Sequence, residues 1–424
     1  MSGQPAPGPG ALLRVLRTAG PSTRQQLVTG TGLTRTQVDG RLESLRALGL
    51  VQEAVTPIST GGRRPRAVAL NSRAGHVLTL CIGATGVLVA SVDLAGDIID
   101  ERRTAIDVAR GPHDVLGLCV ELAQELSASA GADPWAVGVS VPGPVDIDRG
   151  IVLSPPIMPG WDQFPIRDWV ADKLQTACWL DNDANACALG EFRHGAGRTP
   201  RERSSTEMVY VHLGTGIGAG IIMSGALQRG DRGCAGDIGH LPSPGATVAC
   251  RCGNVGCLEA VAGGSALGQL AQRLATDGTS PGLAELSAEL PDGVRLDASA
   301  LSRAAELGDA AALGVLRTAG TQIGEVLASV ISLLNPGQLV IGGGLSQSGD
   351  LLLSSVRKSL YARALPLASR DLLVRRATLG DLGAVHGLAE LALEGLFSAE
   401  VLDRWMPNGS PQGKPGLSGN SPRK

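Results

Sequence analysis

Two segments of this 424-residue chain share one design: "HVLTLCIGATGVLVASVDLAGDII" and, much later, "MVYVHLGTGIGAGIIMSGALQRG" each read as strand, glycine-rich turn, strand, turn. A repeated hairpin predicts a duplicated lobe. Val- and Gly-rich strands alternating with Ala/Leu helices from His76 onward predict an α/β body. The turn "GTGIGA" at 214–219 formally matches the dinucleotide fingerprint. That fingerprint needs a helix after the turn, and "AGIIMSG" has strand character, so a Rossmann site is rejected. Backbone N–H groups of such a turn can still face a phosphate.

The first seventy residues have a different texture. They hold nine arginines against three carboxylates, a net +6, and the chain total of -3 leaves -9 for the remainder. A basic head on an acidic body predicts a nucleic-acid-binding module. "ALLRVLRTAG" reads as a helix, and the following thirty residues read as two more, broken at 30–33. Ser22 with Gln25, and Thr34 with Gln37, fit the capping box that satisfies exposed helix N–H groups. Val38, Leu42, Leu45 and Leu48 recur at helical spacing and face inward, which leaves Arg35, Thr36, Gln37, Asp39 and Arg41 facing out.

Two helices joined by a tight Gly-containing turn make a helix-turn-helix, whose second helix enters the major groove. Arg35 and Gln37 are the first choice as base readers, with Thr34, Thr36 and Arg41 beside them. "LVQEAV" and "STGGRRPRAVAL" then read as two strands with an arginine-rich tip, a wing that brings Arg63, Arg64 and Arg66 to phosphate or a minor groove. The competing explanation is a plain three-helix packing unit with solvated arginines. Gly40, in mid-helix, costs about 1 kcal/mol relative to Ala.

Eight cysteines are too dilute here for a disulfide scaffold. The chain shows neither a signal-peptide pattern nor an apolar run able to span a bilayer, so a cytoplasmic protein without a membrane partner is expected. Cys81, Cys119, Cys178, Cys187 and Cys234 stand singly and read as small buried hydrophobes. The stretch "GHLPSPGATVACRCGNVGCLEA" is different, because His240, Cys250, Cys252 and Cys257 offer the four N/S ligands of a tetrahedral structural Zn2+ site. Its close pair is C-x-C, which argues against a redox C-x-x-C.

Taken in order, "GGRRP", "VSVPGPVD", "PGW", "DNDANACALGEF", "GTGIGAG", "AGDIGH", "CRCGNVGCLE" and "NPGQLVIGGGLS" resemble the motifs of the ROK family of repressors, open reading frames and kinases. Within it the chain looks like the transcriptional regulators, and the likeness runs from Ala11 to about Phe397. The resemblance implies a winged helix-turn-helix at 9–71 followed by a two-lobed actin/hexokinase-like, ribonuclease H-like ATPase fold of sugar-kinase type. Its first lobe would comprise 76–195 with 384–398, and its second 196–383, with a surface insertion at 276–299. Residues 1–8 and 399–424 are expected as disordered tails.

The resemblance also implies roles for side chains. Asp183 matches a catalytic base that takes a proton from a sugar hydroxyl. A competing job for Asp183 is the N-cap of helix "ANACALGEF". Asn182, Asp183, Asp237, His240 and Glu259 match sugar contacts, Asp237 standing where the family usually has Glu. Gly83 and Thr85, then Gly214, Thr215, Gly216 and Gly218, then Gly342 and Gly343, match the phosphate and nucleotide turns. Cys81 replaces the Asp that serves Mg2+ in the kinases. A soft thiol does not replace a carboxylate on a hard cation, which argues against ATP/Mg2+ handling. Zinc would clamp the loop so that His240 ligates through one ring nitrogen and presents the other to the sugar.

The function expected is a sugar-responsive DNA-binding regulator, read as a repressor of carbohydrate-metabolism genes. Its expected partners are a double-stranded DNA operator, a sugar or sugar-phosphate effector, and further copies of the chain in a homodimer or homotetramer. The alternative is an ATP-dependent, glucokinase-like sugar kinase that retains a DNA-binding head.

Overall fold

A computed structural model describes residues 10–55, 66–197, 205–291, 293–347 and 350–411. The described residues within Met1–Val141, Val145–Asp181 and Leu388–Lys424 belong to one compact unit, and those within Pro142–Pro144 and Asn182–Gly387 to a second.

The first unit opens with helix α1 (Ala11–Ala19), strand β1 (Ser22–Thr23), helices α2 (Arg24–Thr31) and α3 (Arg35–Ala47), and strands β2 (Val51–Val55) and β3 (Arg66–Leu70). Leu12, Leu13 and Leu16 of α1 are buried with Leu27 of α2 and Val38, Leu42 and Leu45 of α3, beside a sheet of order β1-β3-β2. Thr34 and Gln37 form the expected capping box on α3. On α2 the box is Thr23 with Gln26, one residue later than expected from Ser22 and Gln25. Ser22 is instead buried in β1, paired with Val68, so the strand removes it from the cap position.

Next come β4 (His76–Ile82), β5 (Gly86–Asp93), β6 (Ile98–Ala105), α4 (Pro112–Ala130), β7 (Ala136–Val141), the short pair β8 (Val145–Asp146) and β9 (Ile151–Val152), α5 (Ile166–Leu174) and β10 (Ala177–Asn182). Their main sheet has the order β10-β7-β4-β5-β6, with the β4–β5 hairpin antiparallel and β7 parallel to β4. Leu78, Leu80, Val115, Cys119, Val137 and Trp161 are among the side chains of its core.

The second unit repeats that plan. It holds α6 (Asp183–His194), β11 (Met208–Leu213), β12 (Ile217–Met223), β13 (Ala226–Gln228), α7 (Leu258–Ala262), α8 (Gly264–Thr276), α9 (Pro281–Ala288), α10 (Ala298–Glu306) and α11 (Ala310–Leu334). After these come β14 (Gln338–Gly342), α12 (Asp350–Arg363), α13 (Pro366–Ser369) and β15 (Leu373–Arg376). The sheet order is β13-β12-β11-β14-β15, with the hairpin β11–β12 again antiparallel and β14 parallel to β11. Because β12 follows the glycine turn as a strand, the turn is not a dinucleotide motif. Helix α14 (Leu382–Leu396) has its residues to Gly387 in this unit and those from Leu388 in the first, and is followed by α15 (Ala399–Trp405).

Three boundaries differ from expectation. Helix α6, assigned to the lobe at 76–195, packs with the second unit, where Ala184 lies against Gly218 and Ala188 against Gly220 of β12; glycines on the strand admit the helix backbone. The stretch 276–299 is not a surface insertion, since Leu283, Leu286 and Leu296 join the second unit's core and Ser280 caps α9. The supposed tail from 399 begins with α15, whose Val401, Leu402 and Trp405 are buried. Trp405 meets Trp135 and Phe397 edge-on and donates its indole N–H to the Leu396 carbonyl at 2.9 Å. Among the described residues, no helix is long and apolar enough to cross a membrane.

Candidate effector and metal site

His240 Nδ1 stands 3.6 Å from Cys250 Sγ, and the sulfurs of Cys252 and Cys257 are 3.7 Å apart. One ligand atom from each of the four residues falls within 4.8 Å of all the others. Tetrahedral zinc with Zn–S bonds of ~2.3 Å has ligand–ligand edges of about 3.8 Å, so the residues fit the ion. Backbone bonds shape the loop: Cys250 N–H donates to the Asn254 carbonyl at 2.7 Å, and Gly253 N–H to the Cys250 carbonyl at 3.0 Å. Burial pushes the Cys257 thiol up to about 12, whereas the Asn254 backbone N–H holds Cys252 below its ordinary value.

The preceding segment is pressed onto β12 by glycines. Gly236, at φ +102°, accepts the Ala219 N–H through its carbonyl at 2.8 Å, and a Cβ at Gly236 would strike the Ala219 carbonyl. This contact fixes the start of Asp237 to His240. Nε2 of His240 lies 3.9 Å from Asp237 Oδ1, so the ring turns one nitrogen to sulfur and the other to a carboxylate. Burial raises the Asp237 carboxyl, and His240 opposes that rise.

Helix α6 begins at the expected sugar contacts and divides their labour. Asn182, not Asp183, is the N-cap: its Oδ1 accepts the N–H groups of Ala184 at 2.9 Å and Asn185 at 3.4 Å, while its Nδ2 donates to the Gly143 carbonyl at 3.1 Å. The N-cap job weighed for Asp183 therefore belongs to its neighbour. Asp183 is the first helical residue, and its Oδ1 accepts the Ala184 N–H at 2.7 Å. Burial raises its carboxyl above the usual range, with His212 pulling the other way. A carboxylate tuned upward by burial suits general-base work.

His212 was not among the sequence candidates. Along β11, Val209, Val211 and Leu213 enter the hydrophobic core, which leaves Tyr210 and His212 on the opposite face, toward α6. Tyr210 hydrogen-bonds Cys187 of α6 there. The period-two alternation of "MVYVHL" was the signal that could have found them.

Glu259, expected at the sugar, uses Oε2 to accept the Ile217 N–H at 2.9 Å. It thereby braces the turn containing Gly214, Thr215, Gly216 and Gly218. Gly264 and Ser265 N–H groups donate to the carbonyls of Gly214 and Thr215 at 3.0 and 2.9 Å. Gly342 ends β14 beside the Tyr210 hydroxyl, and Gly343 follows at φ +85° against Leu213. All these residues lie in the second unit. Gly83 and Thr85 lie in the first, in the β4–β5 turn, where Gly83 N–H donates to the Gly86 carbonyl at 2.8 Å. Cys81 is buried near the end of β4.

In the head, Thr34, Arg35, Thr36 and Gln37 are exposed at the start of α3, Arg41 is half-buried, and Arg66 is exposed at the start of β3. Gln37 Oε1 accepts both the N–H and the hydroxyl of Thr34 at 2.9 and 3.0 Å, which leaves only its amide NH2 for other partners. Arg24 Nε bridges Asp39 Oδ1 at 2.7 Å and ties α2 to α3. A Cβ at Gly40 would meet no atom within 4 Å. Arg63 and Arg64 lie outside the described residues.

A family model described as "ROK family" matches residues 77–395. The glucokinase of Halalkalibacterium halodurans is 33% identical over 314 residues, covering 72% of this chain and 92% of that protein. The xylose repressor of Caldicellulosiruptor bescii is 27% identical over 370 residues, covering 86% of this chain and 90% of its own. A solved structure described as a ROK family transcriptional regulator, homolog of the E. coli MLC protein, covers 93% of this chain and 97% of its own, with a TM-score of 0.76 and 23% identity.

Proposed function

This chain belongs to the ROK family, and on that premise we propose that it is a sugar-responsive, DNA-binding repressor of carbohydrate-metabolism genes. The observation that carries the reading is the head: a basic three-helix unit with the Thr34–Gln37 end of α3 exposed, joined to a family body. We read it as a winged helix-turn-helix, with α3 in the major groove and Arg35 first among its base readers. The xylose repressor's alignment extends over more of this chain than the glucokinase's, which supports the same reading.

The effector proposed is a sugar or sugar phosphate at Asp183, Asp237, His240 and Glu259. Polar side chains that pair with hydroxyls suit it, because each unpaired buried polar group would cost about 1–3 kcal/mol. Zinc bound by His240 Nδ1, Cys250, Cys252 and Cys257 would hold the loop as a closed structural site. His240 would then be fixed with Nε2 beside Asp237, and Cys257 would hold Glu259 two residues further on. A sugar can weaken DNA binding only as far as it prefers the conformation that binds DNA poorly. A homodimer or homotetramer would set two α3 helices about one DNA turn, roughly 34 Å, apart.

A second reading is kept alive by Asp183, whose raised carboxyl suits a base toward a sugar hydroxyl. Cys81 weighs against it at the position the kinases give to a Mg2+-serving Asp. A gel shift on the gene's own upstream DNA, with D-xylose, D-glucose and their phosphates, tests the first reading. It is supported by an operator complex that a sugar dissolves. ATP-dependent sugar phosphorylation at kinase-like rates would establish the second.

A further inference from the structure

The end of the chain joins the effector helix to the head by a continuous path. Gly383 and Gly387 of α14 meet α6 backbone to backbone: a Cβ at Gly190 would strike the Gly383 carbonyl, and one at Gly387 would strike the Ala186 carbonyl. Four-residue spacing of small residues on both helices, Ala186 with Gly190 and Gly383 with Gly387, leaves no side chain between them to absorb a displacement. Glu191 of α6 also holds the approach to α14. Its Oε1 accepts the N–H groups of Thr378 and Leu379 at 2.8 and 2.7 Å, and its Oε2 accepts the Thr378 hydroxyl at 3.2 Å. Helix α6 starts at Asp183, so whatever moves that end moves against α14.

One turn beyond Gly387, Glu390 forms an ion pair with Arg17 of α1 in the head. Only 11% and 12% of the two side chains are exposed, whereas another ion pair of the head, Arg24 with Asp39, is 36% and 48% exposed. A nearly dry pair depends sharply on geometry, because little water is present to screen the attraction as the distance changes. Next along the chain, Leu402 of α15 lies at Gly10, and Gly409 lies against Leu48 beyond α3.

We infer that α14 is the transmission element between effector and DNA: displacement of α6 by a bound sugar shifts α14, and the Arg17–Glu390 pair passes that shift to α1 and so to the recognition helix. The inference rests on the sugar site proposed at the start of α6, and it supplies the two-state element that linkage requires. An inert staple would hold the head in place without conveying a signal, and the two roles separate experimentally.

The full chain and its Glu390→Gln and Arg17→Gln variants are titrated onto the gene's upstream DNA with and without saturating D-xylose or D-glucose, while calorimetry follows sugar binding alone. All three are expected to bind sugar with a Kd within about twofold. Operator affinity of the parent should fall at least about tenfold with sugar, and that of either variant by less than about threefold. The charge-reversed double variant R17E/E390R should recover at least half of the parent's response on a logarithmic scale. Full sugar response in Glu390→Gln would overturn the inference. So would loss confined to Arg17→Gln, which would mark Arg17 as a DNA contact. A parent that binds sugar without any operator response overturns the relay and leaves the sugar site standing; a parent that binds neither sugar overturns both.

Discussion

Glu259 Oε2 accepts the backbone N–H of Ile217 at 2.9 Å, so the carboxylate two residues after the last cysteine of the cluster holds the glycine turn 214–218. The cysteine loop and the glycine turn are therefore joined through Glu259. Cys252→Ser should abolish zinc binding and sugar response together. Metal content by atomic absorption and sugar-dependent gel shifts check this, and a variant that lost zinc but kept its full sugar response would refute the coupling.

Asp183 gives a prediction with a defined sign. Its carboxyl is raised in the folded state by burial. Stability from such a group is fully present below the unfolded carboxyl pKa of about 3.9 and is lost as pH rises through the folded value. The Asp183 carboxyl thus costs stability at neutral pH relative to acid. Asp183→Asn should raise the Tm at pH 7 while weakening sugar binding by at least about tenfold, and the Tm gain should shrink as pH falls toward 4. Thermal melts across that range decide it. A Tm gain independent of pH would detach the effect from the carboxyl.

Gly40 occupies an exposed helix position where a Cβ meets nothing. Gly40→Ala should therefore stabilise the head by about 1 kcal/mol, the ordinary helix-propensity difference. Unchanged denaturant midpoints would show that the head does not unfold with this helix as one unit. If α3 approaches DNA closely at Gly40, the same variant should weaken the operator complex while raising stability.

Removal of α15 should be costly. Truncation after Ser398 takes away Leu402 and Trp405, both buried, and exposes the side chains they cover. Trp405→Ala alone should cost about 3–5 kcal/mol, as for other large buried aromatics. A chain ending at 398 that melted like the full one would contradict this packing.

Local patterns carried their information in the sequence because the interactions behind them are local. Spacing of Val38, Leu42 and Leu45 defined the buried face of α3, Thr34 and Gln37 defined its cap, and His240 with three nearby cysteines already formed a metal-ligand set. The doubled hairpin was legible for the same reason: strand alternation and turn glycines repeat over a few residues. Ser22 shows the limit of such reading, because pairing with Val68, distant in the chain, moved the cap to Thr23.

Other features depended on which distant segments meet. Only the tertiary structure tied the Asn182 amide to the Gly143 carbonyl, turned Glu259 to the glycine turn, and brought His212 into electrostatic reach of Asp183. It also made a core helix of a stretch that composition presented as a tail. The sequence by itself determined which elements form and which residues can ligate. Contacts between residues far apart in the chain, such as Gly190 with Gly387 or Arg17 with Glu390, were decided by packing, since neither partner carries in its own neighbourhood any mark of the other.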